Sequence, residues 1–195
     1  MFISAVICYR VYLQWTFWLL GHQEDCVVLR SNHYDVAFEA YLRSRRTPYV
    51  SVDETRRALL EQASLKSMDF IVYSARRPNL LVDVKGRRFP SGDADTGHRW
   101  ENWTTAEDLP ALQTWQTVFG ADFRAVLVFA YHVVCERAQS EFDSLFSFRD
   151  ARYAFYGVWV DDYQEAMQVR SNSWQTVSVP SRLFRDLRQP FDQFL

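Results

Sequence analysis

Asp69-Phe70-Ile71-Val72-Tyr73-Ser74, then Ala75-Arg76-Arg77-Pro78-Asn79, then Leu80-Leu81-Val82-Asp83-Val84-Lys85-Gly86 is the stretch whose reading decides the fold. Its outer segments are apolar with β-branched and aromatic residues, and its middle holds two arginines, a proline and an asparagine. This composition predicts two strands and a turn paired as a hairpin, the second strand ending at Gly86. Asp83 stands inside the apolar run Leu80 to Val84, where an uncompensated carboxylate is costly to bury. Side chains alternate along a strand, so Asp83 and Lys85 share one face while Val82 and Val84 take the other. Asp69, at the mouth of the paired strand, is placed to approach the same spot. Two carboxylates and an ammonium at the end of a sheet suit a hard divalent cation, which prefers oxygen ligands. The lysine there polarises or helps deprotonate a water, or stabilises charge in the transition state. A lone D-x-K pattern is also common as an ion pair on a half-exposed strand. Lys66 and Lys85 are the only lysines of a chain otherwise basic through arginine, and ammonium and guanidinium are not interchangeable at a tight metal-water site.

Upstream of the hairpin, Tyr34, Ala37, Phe38, Tyr41 and Leu42 recur at helical spacing, with Asn32 as N-cap and Thr47-Pro48 as the stop. Tyr49, Val50 and Val52 read as a short strand. Glu54 to Ala63 reads as a second helix capped by Asp53, with Ala58, Leu59 and Leu60 partly buried. Downstream, residues 86–100 read as a mobile loop. Thr105 to Phe119 reads as a helix, burying Leu109, Leu112, Trp115 and Phe119 and ending at Gly120. Arg124 to Val134 is apolar enough for a central strand buried on both faces. Leu145–Phe148 and Tyr153–Val160 form another hairpin. A helix capped by Asp161 runs to about Val169, followed by a strand at Thr176–Val179 and a helical turn or two at Ser181–Leu187. The sum is an α/β chain: a mixed central β-sheet with helices on both faces.

At 195 residues and 48% hydrophobic, the chain is the size of one domain with a real core. A net charge of −2 gives no global pull toward nucleic acid. The arginines, however, crowd residues 43–99, and this basic half is either a solvated surface or one that faces phosphate. Three cysteines without CxxC spacing fit neither a zinc knuckle nor a disulfide framework, and a cytoplasmic setting follows. Residues 1–30 form an apolar extension ahead of a domain over 31–195. Arg10 and Gln14 interrupt its run at 2–20, which lacks the basic start and cleavage site of a signal peptide. It reads as a packed extra element, a weak membrane anchor or, the favoured reading, translated upstream sequence with the true start near Val27 or Val28. No membrane partner is expected unless residues 2–20 are an anchor.

Asp69, the hairpin and Asp83-Val84-Lys85 resemble the core of the PD-(D/E)XK nuclease superfamily. His33-Tyr34-Asp35-Val36-Ala37-Phe38-Glu39 resembles the signature of the bacterial HYExAFE family within it, with Asp35 in place of its glutamate. Ser64 to Phe70, Leu81 to Gly86 and Glu101-Asn102-Trp103 are also similar to that family, over roughly residues 31–191. The resemblance implies a restriction-endonuclease-like core in α-β-β-β-α-β order. It implies that Asp69 and Asp83 hold magnesium (or manganese in its place) with the Val84 carbonyl. Glu39 is then a further ligand, and Lys85 acts on the attacking water. Met68 stands where the superfamily motif has proline.

The function so implied is hydrolysis of DNA phosphodiester bonds by a magnesium-dependent endonuclease. Arg43, Arg76, Arg77, Arg87 and Arg88 would contact the nucleic acid, and two copies would pair as a homodimer. A catalytically silent nucleic-acid- or protein-binding domain of the same fold is the alternative. His33 and Tyr34 read as packing or capping residues, Gln113 and Gln116 as a solvated face, and Trp100 and Trp103 as core or base-stacking residues. No nucleophile-elbow pattern supports acyl transfer.

Overall fold

Asn32 opens the first helix, its side-chain carbonyl accepting the Tyr34 N–H at 3.2 Å. The computed structural model describes residues 32–53, 58–60, 63–92 and 100–195. The apolar extension and residues 93–99 of the expected loop lie outside them. Helix α1, His33–Ser44, buries Ala37, Phe38, Tyr41 and Leu42 on one face, as its spacing predicts. After Pro48 comes β1, Tyr49–Ser51. Where a second helix is expected, β2 (Ala58–Leu60) and β3 (Ala63–Leu65) instead pair antiparallel, Leu60 opposite Ala63. The apolar residues there fall in two short runs of strand length, one at 58–60 and one at 63–65, and these pair with each other.

The decisive hairpin forms from β4, Phe70–Val72, and β5, Asn79–Phe89, antiparallel with Phe70 opposite Val82. β5 does not stop at Gly86 but runs on to Phe89. The glycine serves a close approach instead. A Cβ at residue 86 would stand 2.1 Å from Cδ2 of Tyr34, so the α1 ring lies directly on the β5 backbone.

Next come the short β6, Thr104–Thr105, and helix α2, Asp108–Phe119, which buries Leu109, Ala111 and Leu112 and ends at Gly120 with φ 83°. The helix carries the chain back to β7, Phe123–Val133, parallel to β5 along its whole length. β8 (Phe146–Phe148) and β9 (Ala151–Trp159) follow, and β9 is antiparallel to β7. Helix α3, Val160–Ala166, is shorter than expected because Gln168–Ser171 is a strand, β10. Trp159, not Asp161, is its N-cap. Asp161 and Asp162 lie in its first turn, 3.6 and 3.9 Å from the Arg124 guanidinium. β11 (Thr176–Ser178), α4 (Ser181–Leu187) and β12 (Gln189–Pro190) complete the chain's main elements.

The main sheet has seven strands in the order β1-β4-β5-β7-β9-β12, with β8 also paired to β9. It is mixed, with a hydrophobic core on each face. On one face α1 packs over Leu80, Val82, Val84, Val126 and Val128. On the other, α2, α3 and α4 bring Leu109, Leu112, Tyr163 and Phe184 over Leu81, Ala125, Leu127 and Phe129. The run α1, β1, β4, β5, α2, β7 follows the α-β-β-β-α-β order of a restriction-endonuclease-like core. No helix among the described residues is long and apolar enough to cross a membrane.

Gly86→Ala should destabilise the protein by about 1–3 kcal/mol, the usual penalty for overpacking a filled site. Tyr34→Ala should recover part of that loss in the double variant, a coupling that urea denaturation of the four proteins measures.

Candidate active site

Asp69 stands just before β4, whose pairing with β5 ends at Phe70 opposite Val82, and Asp83 follows Val82 on β5. Both are nearly buried, at 6% and 5% exposure. The Asp69 N–H donates to the Val82 carbonyl at 2.9 Å. Its carboxylate Oδ2 accepts the Val84 N–H at 2.5 Å, which fixes the side chain against β5. Asp83 and Lys85 project together on the α2 side of the sheet, and Lys85 Nζ lies 2.6 Å from Asp83 Oδ2. That contact is a charge approach rather than an aligned hydrogen bond.

Lys85 has a second carboxylate, Asp108 Oδ2, at 2.8 Å. Asp108 opens α2 and is 1% exposed. It accepts the Thr104 hydroxyl at 2.5 Å and the Thr105 N–H at 3.0 Å, and its other oxygen binds Lys66 Nζ. The Lys66 backbone is held in turn, its carbonyl accepting the Trp115 indole N–H at 2.8 Å. Both lysines of the chain therefore meet on one buried aspartate. A negative side chain in a first helical turn is also favoured by the helix dipole.

These contacts divide the carboxylates electrically. Burial pushes the Asp83 pKa up, and the Lys85 charge only partly opposes that. Burial would raise Asp108 as well, but Lys85, Lys66 and the Thr104 hydroxyl outweigh it and hold the group below the usual carboxylate range. For Lys85, burial favours the neutral amine, yet Asp83 and Asp108 together hold the ammonium above its ordinary value. The site therefore has one strongly stabilised carboxylate, one whose ionised form is penalised by burial, and a lysine whose ammonium form is favoured.

Glu39 is engaged elsewhere. It sits on α1, across the sheet from Lys85, and its Oε1 accepts Tyr49 Oη and Arg43 Nη2, each at 2.8 Å. No three carboxylates, histidines or cysteines gather as a metal cage among the described residues. Two of the arginines expected on nucleic acid stand elsewhere. Arg87 is buried, 3.8 Å above the Trp103 ring and bonded to the Gly86 and Trp103 carbonyls; it alternates to the same face as Lys85 and is covered there. Arg77, in the β4–β5 turn, lies 3.3 Å from Asp122, away from the site end of the hairpin. Arg43, Arg76 and Arg88 are exposed.

His33 Nδ1 lies 2.9 Å from Tyr153 Oη, and Tyr34 packs on Gly86, so both serve packing. Gln116 is not solvated as expected, since its Oε1 accepts the Ala125 N–H at 2.7 Å. Trp100 packs among Phe89, Tyr131 and Phe142.

No protein-family model matches the chain, and no curated protein matches it in sequence. Among solved structures it is similar to Hjc, a Holliday junction resolvase of the archaeal hyperthermophile Archaeoglobus fulgidus. Identity is 13% and the TM-score 0.48, over 83% of this chain and 97% of that one.

An aspartate whose pKa is lowered by folding stabilises the protein above its unfolded value of about 3.9 and loses that stabilisation as pH falls; one whose pKa is raised destabilises in the same window. In EDTA at pH 7, Asp108→Asn should lower stability by about 2 kcal/mol, below a fully buried pair because Lys66 retains solvent. Asp83→Asn should be neutral or stabilising. Thermal melts of the two variants separate these outcomes; equal losses would refute the division of roles.

Proposed function

We propose that this protein is a magnesium-dependent endonuclease that hydrolyses DNA phosphodiester bonds. The observation that carries the reading is the pair of buried carboxylates where β4 meets β5, Asp69 tied to the Val84 amide and Asp83 one residue before it, with Lys85 Nζ 2.6 Å from Asp83. The donor set fits the cation. Asp69, Asp83 and the Val84 carbonyl are all oxygen ligands, and magnesium keeps several waters and is commonly bound through only one or two carboxylates. When bound there, the ion would lower the pKa of a coordinated water and neutralise charge on the phosphate.

The chain's own groups supply the rest. Lys85, flanked by two carboxylates, stays an ammonium at neutral pH. It therefore donates a hydrogen bond to the attacking water or to a phosphate oxygen and stabilises developing negative charge, rather than removing a proton. Asp108 orients it and brings Lys66, more than one-third exposed, to the same spot. Thr104 and Thr105 hold Asp108 in place. Arg88, exposed two residues beyond the level of Gly86, suits contact with the DNA backbone. The similarity of His33 to Glu39 to the HYExAFE signature belongs to this proposal, with Glu39 as a ligand only if it leaves Arg43 and Tyr49.

That engagement of Glu39 favours a second reading, a nucleic-acid-binding domain that keeps the fold without cleaving.

Purified protein should cleave DNA with magnesium or manganese, tested on branched, duplex and single-stranded substrates. EDTA should abolish the activity, and Asp83→Ala and Lys85→Ala should each reduce it by roughly 100- to 1,000-fold, the usual effect of removing a charge-stabilising group. Cleavage that survives Asp83→Ala or EDTA would exclude the proposed centre. DNA binding without cleavage of any substrate would establish the second reading.

A further inference from the structure

β10 and β11 form a hairpin outside the main sheet, and their third strand is β6, the Thr104–Thr105 pair. The Ala106 N–H also donates to the Gln175 carbonyl at 2.8 Å. The hairpin is thus fastened to the residues that hold Asp108, and so to the candidate active site. Trp174 in its turn is 74% exposed, and Val169 on β10 is 66% exposed; these are the most exposed large apolar side chains among the described residues. The turn is braced: the Trp174 N–H donates to Ser171 Oγ at 3.3 Å and the Gln175 N–H to the Asn172 carbonyl at 3.4 Å. Gln175 takes φ 47° to close it. The braced backbone of the turn presents the indole to solvent.

The surrounding charge defines the partner. No acidic residue occurs in the hairpin or its turn, residues 168–178, and Arg170 on β10 is exposed; Arg182 and Arg185 are exposed on α4, beside Asp186. Arg170 lies 3.9 Å from Glu101 and 5.2 Å from the centre of the Trp103 ring. Arginines beside an exposed aromatic suit phosphates and a base, since every base presents a π-face. They disfavour a symmetric pairing of two copies through this patch, which would set the same arginines against one another.

We propose that the β10–β11 hairpin is a nucleic-acid arm that stacks Trp174 on an unpaired base, with Arg170 of β10 on the neighbouring phosphate. This rests on the nuclease reading and names its substrate class, DNA with unpaired nucleotides beside the scissile bond. The test is binding by the full chain in EDTA, where no cleavage occurs, to a fluorescein-labelled forked DNA and to a blunt duplex of equal length. Trp174→Ala should weaken forked-DNA binding by about tenfold and change duplex binding less than twofold, while Trp174→Phe restores most of the loss. A 2-aminopurine in the unpaired arm should be quenched by the wild type and not by Trp174→Ala. Unchanged binding, an equal loss on both DNAs, or no binding to either overturns the proposal. So does a Trp174→Ala effect confined to self-association in sedimentation. If the fork preference holds but magnesium brings no cleavage, the nuclease reading fails and the arm stands; if cleavage depends on Asp83 but Trp174→Ala binds normally, the arm alone fails.

Discussion

The parallel ladder between β5 and β7, unbroken from Asn79 opposite Phe123 to Phe89 opposite Val133, is the constraint on which the rest of the structure depends. Parallel strands need a crossover, and here the crossover contains α2. Its return over one face of the sheet brings the helix's first residue, Asp108, to the side where Asp83 and Lys85 project. Because both faces of the ladder are covered, alternate residues of β5 have fixed destinations. Leu80, Val82 and Val84 go to the α1 core, while Leu81, Asp83, Lys85 and Arg87 go to the α2 side. A shift of one residue would exchange the two sets and bury the charged residues under α1.

Within that frame the charges are unequal. Asp108 has lysines on both oxygens as well as the Thr104 hydroxyl and the Thr105 amide, and behaves as an anchor. Asp83 shares one lysine with it and is otherwise poorly compensated. A carboxylate retained under those conditions is chemically poised in a way the anchor is not, because a cation or a proton would improve its situation. Strong structural pairing of Asp108 keeps Lys85 in place for Asp83.

Much of this was legible in the sequence. Period-2 alternation sorted Asp83 and Lys85 from Val82 and Val84, and helical spacing gave the buried face of α1. The two long central strands declared themselves by their apolar runs. What escaped depended on tertiary contacts. Asp108 reads locally as an ordinary acidic residue in a first helical turn, and its burial follows only from where the crossover lands. The scarcity of lysine was the usable signal, since Lys66 and Lys85 share one partner. Gly86 reads as a strand end until the ring of Tyr34 is seen lying against it. Arg87 reads as a surface cation until alternation sends it onto the face of Trp103. Glu39 has a suitable position in the signature, but its contacts come from Arg43 one turn along and from Tyr49 on the edge strand.

The crossover also governs how the chain reaches this state. The β4–β5 and β8–β9 hairpins close over short turns and can form early, whereas β5 meets β7 only after the whole segment between Phe89 and Phe123 has been gathered in. Closing a long loop is entropically unfavourable before any contact rewards it, and topologies dominated by such pairings fold slowly. During that interval the two most apolar strands are each exposed on both faces. Kinetic partitioning between native docking and aggregation is therefore decided at the β5–β7 seam, the same ladder that later holds the charged residues apart from the α1 core.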